Sequence, residues 1–282
     1  MAGPLLMLAA ALMFAVLDGL IKTMGPEFGV WDIAFIRWGG SFALLAITFG
    51  WQGNLFRTDN LKLMALRSVS GCITFLLLIA AIRRIPLSTA MVLFFTFPAF
   101  AALFSVLMYA ETISKLQILF IGGTMAGVPL LLNFRDTPNL SGAAMALFAG
   151  VFAGFTVCLI KKLRDTNGPV VIYLYFCLLG AAISFPMFIA DPAIPQSGRE
   201  WLMAGGIAGT SVAGQLMMNQ GFKYCQSWEG GLYLIAEVVF TAILGIVFLG
   251  ESTSWGFWLG GLLILLNAAS LQLSSVRTAA RI

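Results

Sequence analysis

Leu20-Ile21-Lys22, near the start of the chain, recurs as Leu159-Ile160-Lys161, 139 residues further on. An apolar run that ends in Glu111 is matched in a similar way by a run that ends in Glu251. The chain has 282 residues, so the repeating unit is half of its length. Duplicated apolar halves are typical of membrane transporters, in which the substrate site lies between the two copies. The sequence therefore predicts one repeat at residues 1–140 and a second at residues 141–282.

The composition is that of a membrane protein. Hydrophobic residues make up 60% of the chain and charged residues 10%, whereas soluble domains are about 25% charged. The mean hydropathy is +0.96, and a soluble chain of this length has too little interior to bury so much apolar surface. The lipid bilayer is therefore the expected partner. Nucleic acid is excluded, because no basic stripe with base-stacking aromatic residues lies outside the apolar segments.

Several kinds of chemistry are excluded by the residues that the sequence lacks. The chain contains no histidine, which removes the usual zinc sites, Ser–His catalysis and histidine proton relays. It also contains no phosphate-binding loop of the form G-x-x-x-x-G-K-[ST] and no clustered acidic metal site. We therefore predict no enzymatic activity, no catalytic residue, no metal and no cofactor. The four cysteines form no C-x-x-C pair and are interpreted as small buried side chains.

Ten apolar segments have the length of membrane-spanning helices, which need about 20 residues each. Glycine, proline and asparagine residues separate these segments. The predicted fold class is an all-α integral membrane protein with ten transmembrane helices. The predicted segments are residues 4–24, 30–50, 63–82, 88–108, 116–133, 142–162, 169–190, 200–220, 229–249 and 255–273.

The number of helices in each half determines how the halves are related. Five is an odd number, so the second copy enters the membrane from the opposite face, and the two five-helix repeats are predicted to be inverted. A cytoplasmic N-terminus places ten Lys or Arg residues on the inner side, Arg67 among them, and four on the outer side. The positive-inside rule therefore predicts that both termini are cytoplasmic. Arg83 and Arg84 are basic residues on the predicted outer side, so they count against this orientation.

Four charged residues lie inside the apolar segments, and each is costly in lipid unless it faces a cavity, a partner or the interface. At about 1.5 Å per residue, Asp18 and Arg37 lie at similar depth on neighbouring helices. Either they form a structural ion pair, or Arg37 attracts a substrate carboxylate while Asp18 binds an ammonium group or a proton. Lys22 is expected to extend outward to the interface. Glu237 has no cation nearby in sequence, so it either faces the substrate or makes a structural hydrogen bond.

Further residues are candidates for the wall of a central cavity. Pro98 removes a backbone hydrogen bond inside the fourth segment and frees the carbonyl of Phe94. This produces either a static kink or a hinge with a carbonyl that faces the ligand. Aromatic faces suit flat or apolar substrates and also hold cations, and uncharged amides bind either other helices or substrate. The aromatic and amide candidates are Trp38, Phe97, Tyr173, Gln215 and Tyr233.

A motif occurs in both halves. In the first half it comprises Ala90-Met91, Thr96-Phe97-Pro98 and Ala110-Glu111, and in the second half Ala236-Glu237-Val238 and Gly250-Glu251. Together with ten helices in two inverted halves, this pattern resembles the EamA type of the drug/metabolite transporter superfamily. Val238 stands where many members of that family have proline.

Within that superfamily the chain resembles the bacterial exporters of aromatic amino acids. The resemblance implies a multi-pass protein of the bacterial inner membrane that exports small metabolites, above all amino acids, including aromatic or apolar ones. Transport would proceed by alternating access through a cavity between the repeats. A passive pore for small solutes and the efflux of several drugs or planar cations are the alternatives. The resemblance also implies structural roles for Glu111 and Glu251 at helix ends. The sequence is compatible with a monomer.

Overall fold

A computed structural model describes residues 2–51, 56–109, 115–132, 139–164, 166–224 and 233–279. Every regular element within these ranges is helical, which confirms the all-α prediction. The helices are α1 (Ala2–Thr23), α2 (Val30–Phe49), α3 (Leu61–Ile82), α4 (Leu87–Phe94), α5 (Phe97–Tyr109), α6 (Lys115–Leu132), α7 (Leu140–Leu163), α8 (Pro169–Ala190), α9 (Gly198–Tyr224), α10 (Ala236–Ile243), which continues into a π-helical turn (Leu244–Phe248), and α11 (Trp255–Ala279).

Where they are described, the ten predicted segments overlap these helices, and segment 229–249 begins outside the described residues. Within the described residues, six spans are long and apolar enough to cross a membrane. The total of ten membrane spans, their inverted arrangement and the cytoplasmic termini remain predictions. The six spans are Gly3–Thr23, Val30–Phe49, Leu61–Ile82, Leu87–Met108, Leu140–Leu163 and Pro169–Ala190.

The helices pack across the two halves of the sequence rather than within each half. The main pairs are α1 with α9, α3 with α7, α2 with α8, and α6 with α11. These pairings build one large core, in which Trp38 and Tyr173 are the largest side chains that are completely buried. Polar residues of α1, α2, α3, α9 and α10 are therefore brought into the same interior.

The predicted fourth span is interrupted just before Pro98. α4 ends at Phe94 and α5 begins at Phe97, and the Thr96 hydroxyl donates to the Leu93 carbonyl at 2.8 Å. Proline lacks an N–H group, and its ring clashes with the carbonyl four residues earlier, which kinks or breaks a helix at this position. The predicted distortion is thus a complete break between two helices.

Helix α7 approaches this break closely because it carries glycine where other residues would collide. A Cβ atom at Gly150 would lie 2.9 Å from the carbonyl oxygen of Phe94, and one at Gly154 would lie 2.9 Å from that of Phe97. Both contacts are tighter than a side chain tolerates without a shift of the helices. The two glycines therefore set the distance between α7 and the break.

Two cations fasten the ends of α1 and α3 to each other. Lys22 Nζ donates to the carbonyls of Ile82 at 2.7 Å and Ile85 at 2.6 Å. Arg83 Nη2 donates to the carbonyl of Gly25 at 2.9 Å, in the loop between α1 and α2. Carbonyls at helix ends lack partners within their own helix, so these cations satisfy them. Lys22 therefore binds the end of α3, and its extension to the membrane interface remains a prediction. The same contacts give Arg83 a structural role at this end of the helices.

Glu251 caps a helix of the opposite half. Its carboxylate accepts hydrogen bonds from the N–H groups of Leu87 and Ser88, the latter at 3.1 Å, and from the Ser88 hydroxyl at 2.7 Å. It thereby satisfies donors in the first turn of α4, which have no partners within the helix. These contacts fit the structural role expected for Glu251. Its counterpart in the first half, Glu111, lies outside the described residues.

The start of α9 is fixed by a capping box at the protein surface. The N–H of Glu200 donates to Ser197 Oγ at 3.2 Å, and the Ser197 hydroxyl donates to Glu200 Oε1 at 2.8 Å. The backbone N–H of Gln196 adds a hydrogen bond to Glu200 Oε2 at 2.7 Å. These hydrogen bonds, with that from Gln196 the strongest, lower the pKa of the Glu200 carboxyl. The carboxylate thus serves as an anionic helix cap.

Candidate functional site

Three of the charged residues singled out in the sequence meet in the core. Asp18 of α1, Arg37 of α2 and Glu237 of α10 are each no more than 7% exposed. The Asp18 and Glu237 carboxyl groups hydrogen-bond to each other, and both interact electrostatically with Arg37. A hydrogen bond between two carboxyl groups requires that one of them carries a proton. The site therefore contains a cation beside a pair of carboxyl groups that shares a proton.

The Arg37 guanidinium is held on one edge and on one face. Its Nε donates to Ser211 Oγ at 2.7 Å, and its central carbon lies 3.6 Å from the centroid of the Phe75 ring. Ser211 Oγ is also 2.8 Å from the hydroxyl of Tyr173, which donates to Ser41 Oγ at 3.1 Å. This buried network joins α2, α8 and α9, and it fixes the direction in which the guanidinium points.

Helix α9 carries a stripe of polar residues next to this network. Ser211, Gln215 and Asn219 follow one another at intervals of four residues, so they share one face of the helix. Asn219 Nδ2 donates to the Pro169 carbonyl at 3.3 Å. Gln215 Oε1 and Asn219 Oδ1 are buried and have no hydrogen-bond partner among the described residues. Buried acceptors of this kind are normally satisfied by water or by a ligand.

Trp38 forms an aromatic wall of the site. It is completely buried, and its ring meets those of Phe75 and Phe176 edge-on, with centroids 5.4 Å and 5.7 Å away. A Cβ atom at Gly180 of α8 would overlap the Trp38 ring, so glycine is required there. Within the described part of the chain, the indole Nε1 of Trp38 has no hydrogen-bond partner. Trp38 thus combines a fixed apolar wall with an available donor.

For three predicted site residues, the structure describes no contact with Asp18, Arg37 or Glu237. Phe97 and Pro98 are buried at the start of α5, where Phe97 packs against Phe95 with ring centroids 5.3 Å apart. Tyr233 is half-buried and packs against the main hydrophobic core. The contacts described for these side chains do not include Arg37 or the two acids. Their contact with substrate therefore remains a prediction.

Arg67 is a functional candidate that the sequence analysis missed. Although it was counted among the charges on the inner side of the membrane, it is only 2% exposed. Its guanidinium carbon lies 4.4 Å from the centroid of the Phe176 ring, and it interacts electrostatically with Arg37. The sequence contains one indication that Arg67 is buried. Residues 68–72, which follow Arg67 directly, are mostly small and leave room for its long side chain. Arg67 was predicted to lie at the inner surface, but in the structure it lies in the interior.

Comparison with known proteins identifies related sequences and a related fold. The model of the EamA-like transporter family matches residues 1–133 and 140–271. The pseudopaline exporter of Pseudomonas aeruginosa (strain UCBPP-PA14) is 25% identical over 96% of this chain and 95% of its own length. An uncharacterized inner membrane transporter of Salmonella typhimurium is 25% identical over 79% and 76% of the two chains. Human solute carrier family 35 member G1 is 24% identical over 68% of this chain and 57% of its own length.

The fold is also found in a solved structure. That crystal structure matches with a TM-score of 0.69 and covers 96% of this chain and 96% of its own. The two sequences are 18% identical, so the likeness concerns the arrangement of the helices.

Proposed function

Because this chain belongs to the EamA-like transporter family, we propose that it is a secondary transporter that exports amino acids, including aromatic or apolar ones, across the bacterial inner membrane. The family and its named relatives are membrane transporters and not enzymes. This confirms the expectation of a non-enzymatic, membrane-embedded, multi-pass protein with a small-molecule substrate. The amino-acid substrate, alternating access and cytoplasmic termini belong to the proposal.

The single observation that carries the amino-acid substrate is the burial of Arg37 beside Asp18 and Glu237. An amino acid has a carboxylate and an ammonium group on neighbouring atoms, so it needs charges of both signs within one small site. The Arg37 edge that Ser211 does not occupy suits a carboxylate. The Asp18 and Glu237 carboxyl groups supply acceptor oxygens that suit an ammonium group.

The packing of the helices supports alternating access. If the two halves exchange places, the α1–α9 pair becomes the α7–α3 pair, whereas α2–α8 and α6–α11 each become themselves. All four pairs occur, and the family model matches the chain once in each half. These observations favour two inverted five-helix repeats, residues 1–140 and 141–282. Such repeats interconvert an inward-open and an outward-open state when they exchange conformations.

Asp18 and Glu237 also bear on how transport would be driven. Within the described helices, Asp18 and Glu237 are the carboxyl groups that face Arg37 deep in the core, and they share one proton. Proton-coupled export would therefore run through this pair. Facilitated efflux down a metabolite gradient is the alternative, and it needs no change in the protonation of the pair.

The alternative functions predict different properties. Efflux of planar cations is favoured by the rings of Trp38, Phe75 and Phe176, but the positive charges of Arg37 and Arg67 oppose it. A passive pore would conduct without saturation. It would not need the buried charged site just described, because it has no alternating transport cycle.

A flux assay distinguishes these possibilities. The purified chain is reconstituted into proteoliposomes and tested with a panel of radiolabelled amino acids, with and without a pH gradient. We expect saturable transport and counterflow of amino acids, and a dependence on the pH gradient if export is coupled to protons. Conductance that is independent of substrate would support the pore, and transport of planar cations alone would support drug efflux. Either result would overturn the amino-acid proposal.

A further inference from the structure

We propose that Arg67 is a second anion-binding residue and that the substrate is an amino acid with an additional acidic group. This inference rests on the proposed function, and within it favours amino acids with a net charge of −1 over the neutral aromatic or apolar ones. Arg37 would bind one acidic group of the substrate and Arg67 the other.

Arg67 is a buried cation for which the described residues supply no anion. It is 2% exposed, and its Nε and Nη1 have no hydrogen-bond partner within the described ranges. Its electrostatic neighbours there are Cys72, Cys177, Tyr173 and Arg37, none of which is a carboxylate. A buried charge without a partner is strongly unfavourable, and an arginine in a membrane span is expected to be paired. The simplest source of the missing anion is the substrate.

The described surroundings of Arg67 leave its Nε and Nη1 donors without an acceptor. Phe176 covers one face of the guanidinium at 4.4 Å, as Phe75 covers that of Arg37 at 3.6 Å. A ring on the face does not compete for the N–H groups, which lie in the plane of the guanidinium and form bidentate contacts with carboxylates. Trp38 packs against both rings. One aromatic wall therefore connects the two cations.

The position of the arginines on their helices shows how one molecule would contact both. Arg37 lies about two turns after the start of α2, and Arg67 lies about two turns after the start of α3. Successive spans run in opposite directions, so the two side chains enter the core from opposite ends. Their guanidinium groups are nevertheless close enough to interact electrostatically. A molecule with an acidic group at each end would therefore contact both.

The charges of the site select the same class of substrate. Among the described residues, the site brings together the guanidinium groups of Arg37 and Arg67 and the carboxyl groups of Asp18 and Glu237. If the two carboxyl groups share one proton, these residues carry one positive charge in excess. A neutral zwitterion would leave this charge uncompensated in the membrane interior. An amino acid with one additional acidic group has a net charge of −1 and neutralises the site, which removes the cost of the unpaired charge.

Glutamate and glutamine form a matched pair of probes, because they have nearly the same shape and differ in the second acidic group. We would measure counterflow of each radiolabelled probe in proteoliposomes that contain the full chain. The wild type is expected to transport glutamate at least about tenfold faster than glutamine, because the loss of a charged partner leaves Arg67 unpaired. In Arg67→Gln the ratio of the two rates is expected to fall to about one.

Two further variants complete the experiment. Arg67→Lys keeps the charge but not the bidentate geometry, so an intermediate ratio is expected even if Arg67→Gln fails to fold. Arg57 is exposed outside the site, and Arg57→Gln is expected to keep the wild-type ratio. In detergent, glutamate is expected to raise the Tm of the wild type and not that of Arg67→Gln, since a ligand stabilises the state that binds it.

The outcomes separate this inference from the proposed function. A wild-type ratio near one, or an unchanged ratio in both Arg67 variants, would overturn the second anion site. If the wild type transports other amino acids but neither probe, the inference fails and the proposed function stands. If it transports no amino acid of the panel, the proposed function itself fails.

Discussion

Arg37 and Arg67 lie in the same core, and each rests on a phenylalanine ring, yet their surroundings differ. Arg37 faces Asp18 and Glu237 and donates to Ser211 at 2.7 Å. Arg67 faces no carboxylate among the described residues, and two of its nitrogens lack partners there. The fold thus compensates one buried cation and leaves the other for a ligand. Burial of a charge therefore does not by itself indicate a stabilising interaction.

The difference between the two arginines affects the stability of the protein, and binding of a substrate would explain why an unpaired arginine is retained. An unpaired buried guanidinium lowers the stability of the protein when no substrate is bound. Sites that bind or react commonly retain such unfavourable groups, because the residues that would stabilise the empty protein would weaken its activity. Arg67 should therefore behave in the opposite way to Arg37 when each is replaced.

The largest effect is expected at Arg37. Arg37→Gln leaves two buried carboxyl groups without their cation, which should lower the free energy of unfolding by about 3–5 kcal/mol. Amino-acid flux should fall about 100-fold, as is typical when one partner of a buried charge pair is removed. Chemical unfolding in detergent and counterflow in proteoliposomes measure the two effects. Unchanged stability would show that Arg37 does not hold the carboxyl pair.

The carboxyl pair itself is tested by Glu237→Gln, which keeps the shape of the side chain but removes an ionisable group. We expect amino-acid flux to fall about tenfold and to lose its response to a pH gradient. Glu200 lies at the surface and caps α9, so Glu200→Gln is the matched control and should transport as the wild type does. Wild-type rates in a folded Glu237→Gln protein would remove Glu237 from the mechanism.

Replacement of Arg67 should have the opposite sign to that of Arg37. Arg67→Met removes an unpaired buried charge and fills the same space with an apolar chain, so the free energy of unfolding without substrate should rise by about 1–3 kcal/mol. The same unfolding assay in detergent measures this gain. A loss comparable to that of Arg37→Gln would show that Arg67 is a structural residue, and the contrast between the two arginines would disappear.

The smallest effects are expected at two serines, one hydrogen-bonded to Arg37 and one next to Arg67 in sequence, which also test the difference between the two arginines. Ser211→Ala leaves Arg37 Nε without its acceptor and should cost about 1–2 kcal/mol. Ser68 is also buried and follows Arg67 in sequence, but its hydroxyl has no partner in the described residues. Ser68→Ala removes a buried hydroxyl without a described partner and should therefore cause no loss of stability. Thermal unfolding of both variants under one condition provides the comparison, and equal losses would contradict it.

The sequence predicted the helices and the meeting of Asp18 with Arg37, because both depend on local properties. Apolar length sets where a helix lies, and the distance from a helix end sets the depth of a charge in the membrane. The resemblance to a known family supplied the structural role of Glu251. These predictions needed no knowledge of which helices touch.

The contacts of Arg67 and Ser211 depend on packing between distant parts of the chain, and the sequence did not reveal them. Ser211 lies 174 residues from Arg37, and its role appears only once α9 packs against α2. Arg67 lies two turns from a polar loop, which is where charges usually reach the membrane surface. Only the position of α8, which places Phe176 over its guanidinium, shows that it points inward.

The cap that Glu251 provides has a consequence for how the chain is made. Ser88 is synthesised 163 residues before the carboxylate that satisfies it. Until the ribosome has added those residues, the first turn of α4 lacks this acceptor. A chain truncated before Glu251 would lack it permanently, so the truncation would weaken α4, a helix of the other half.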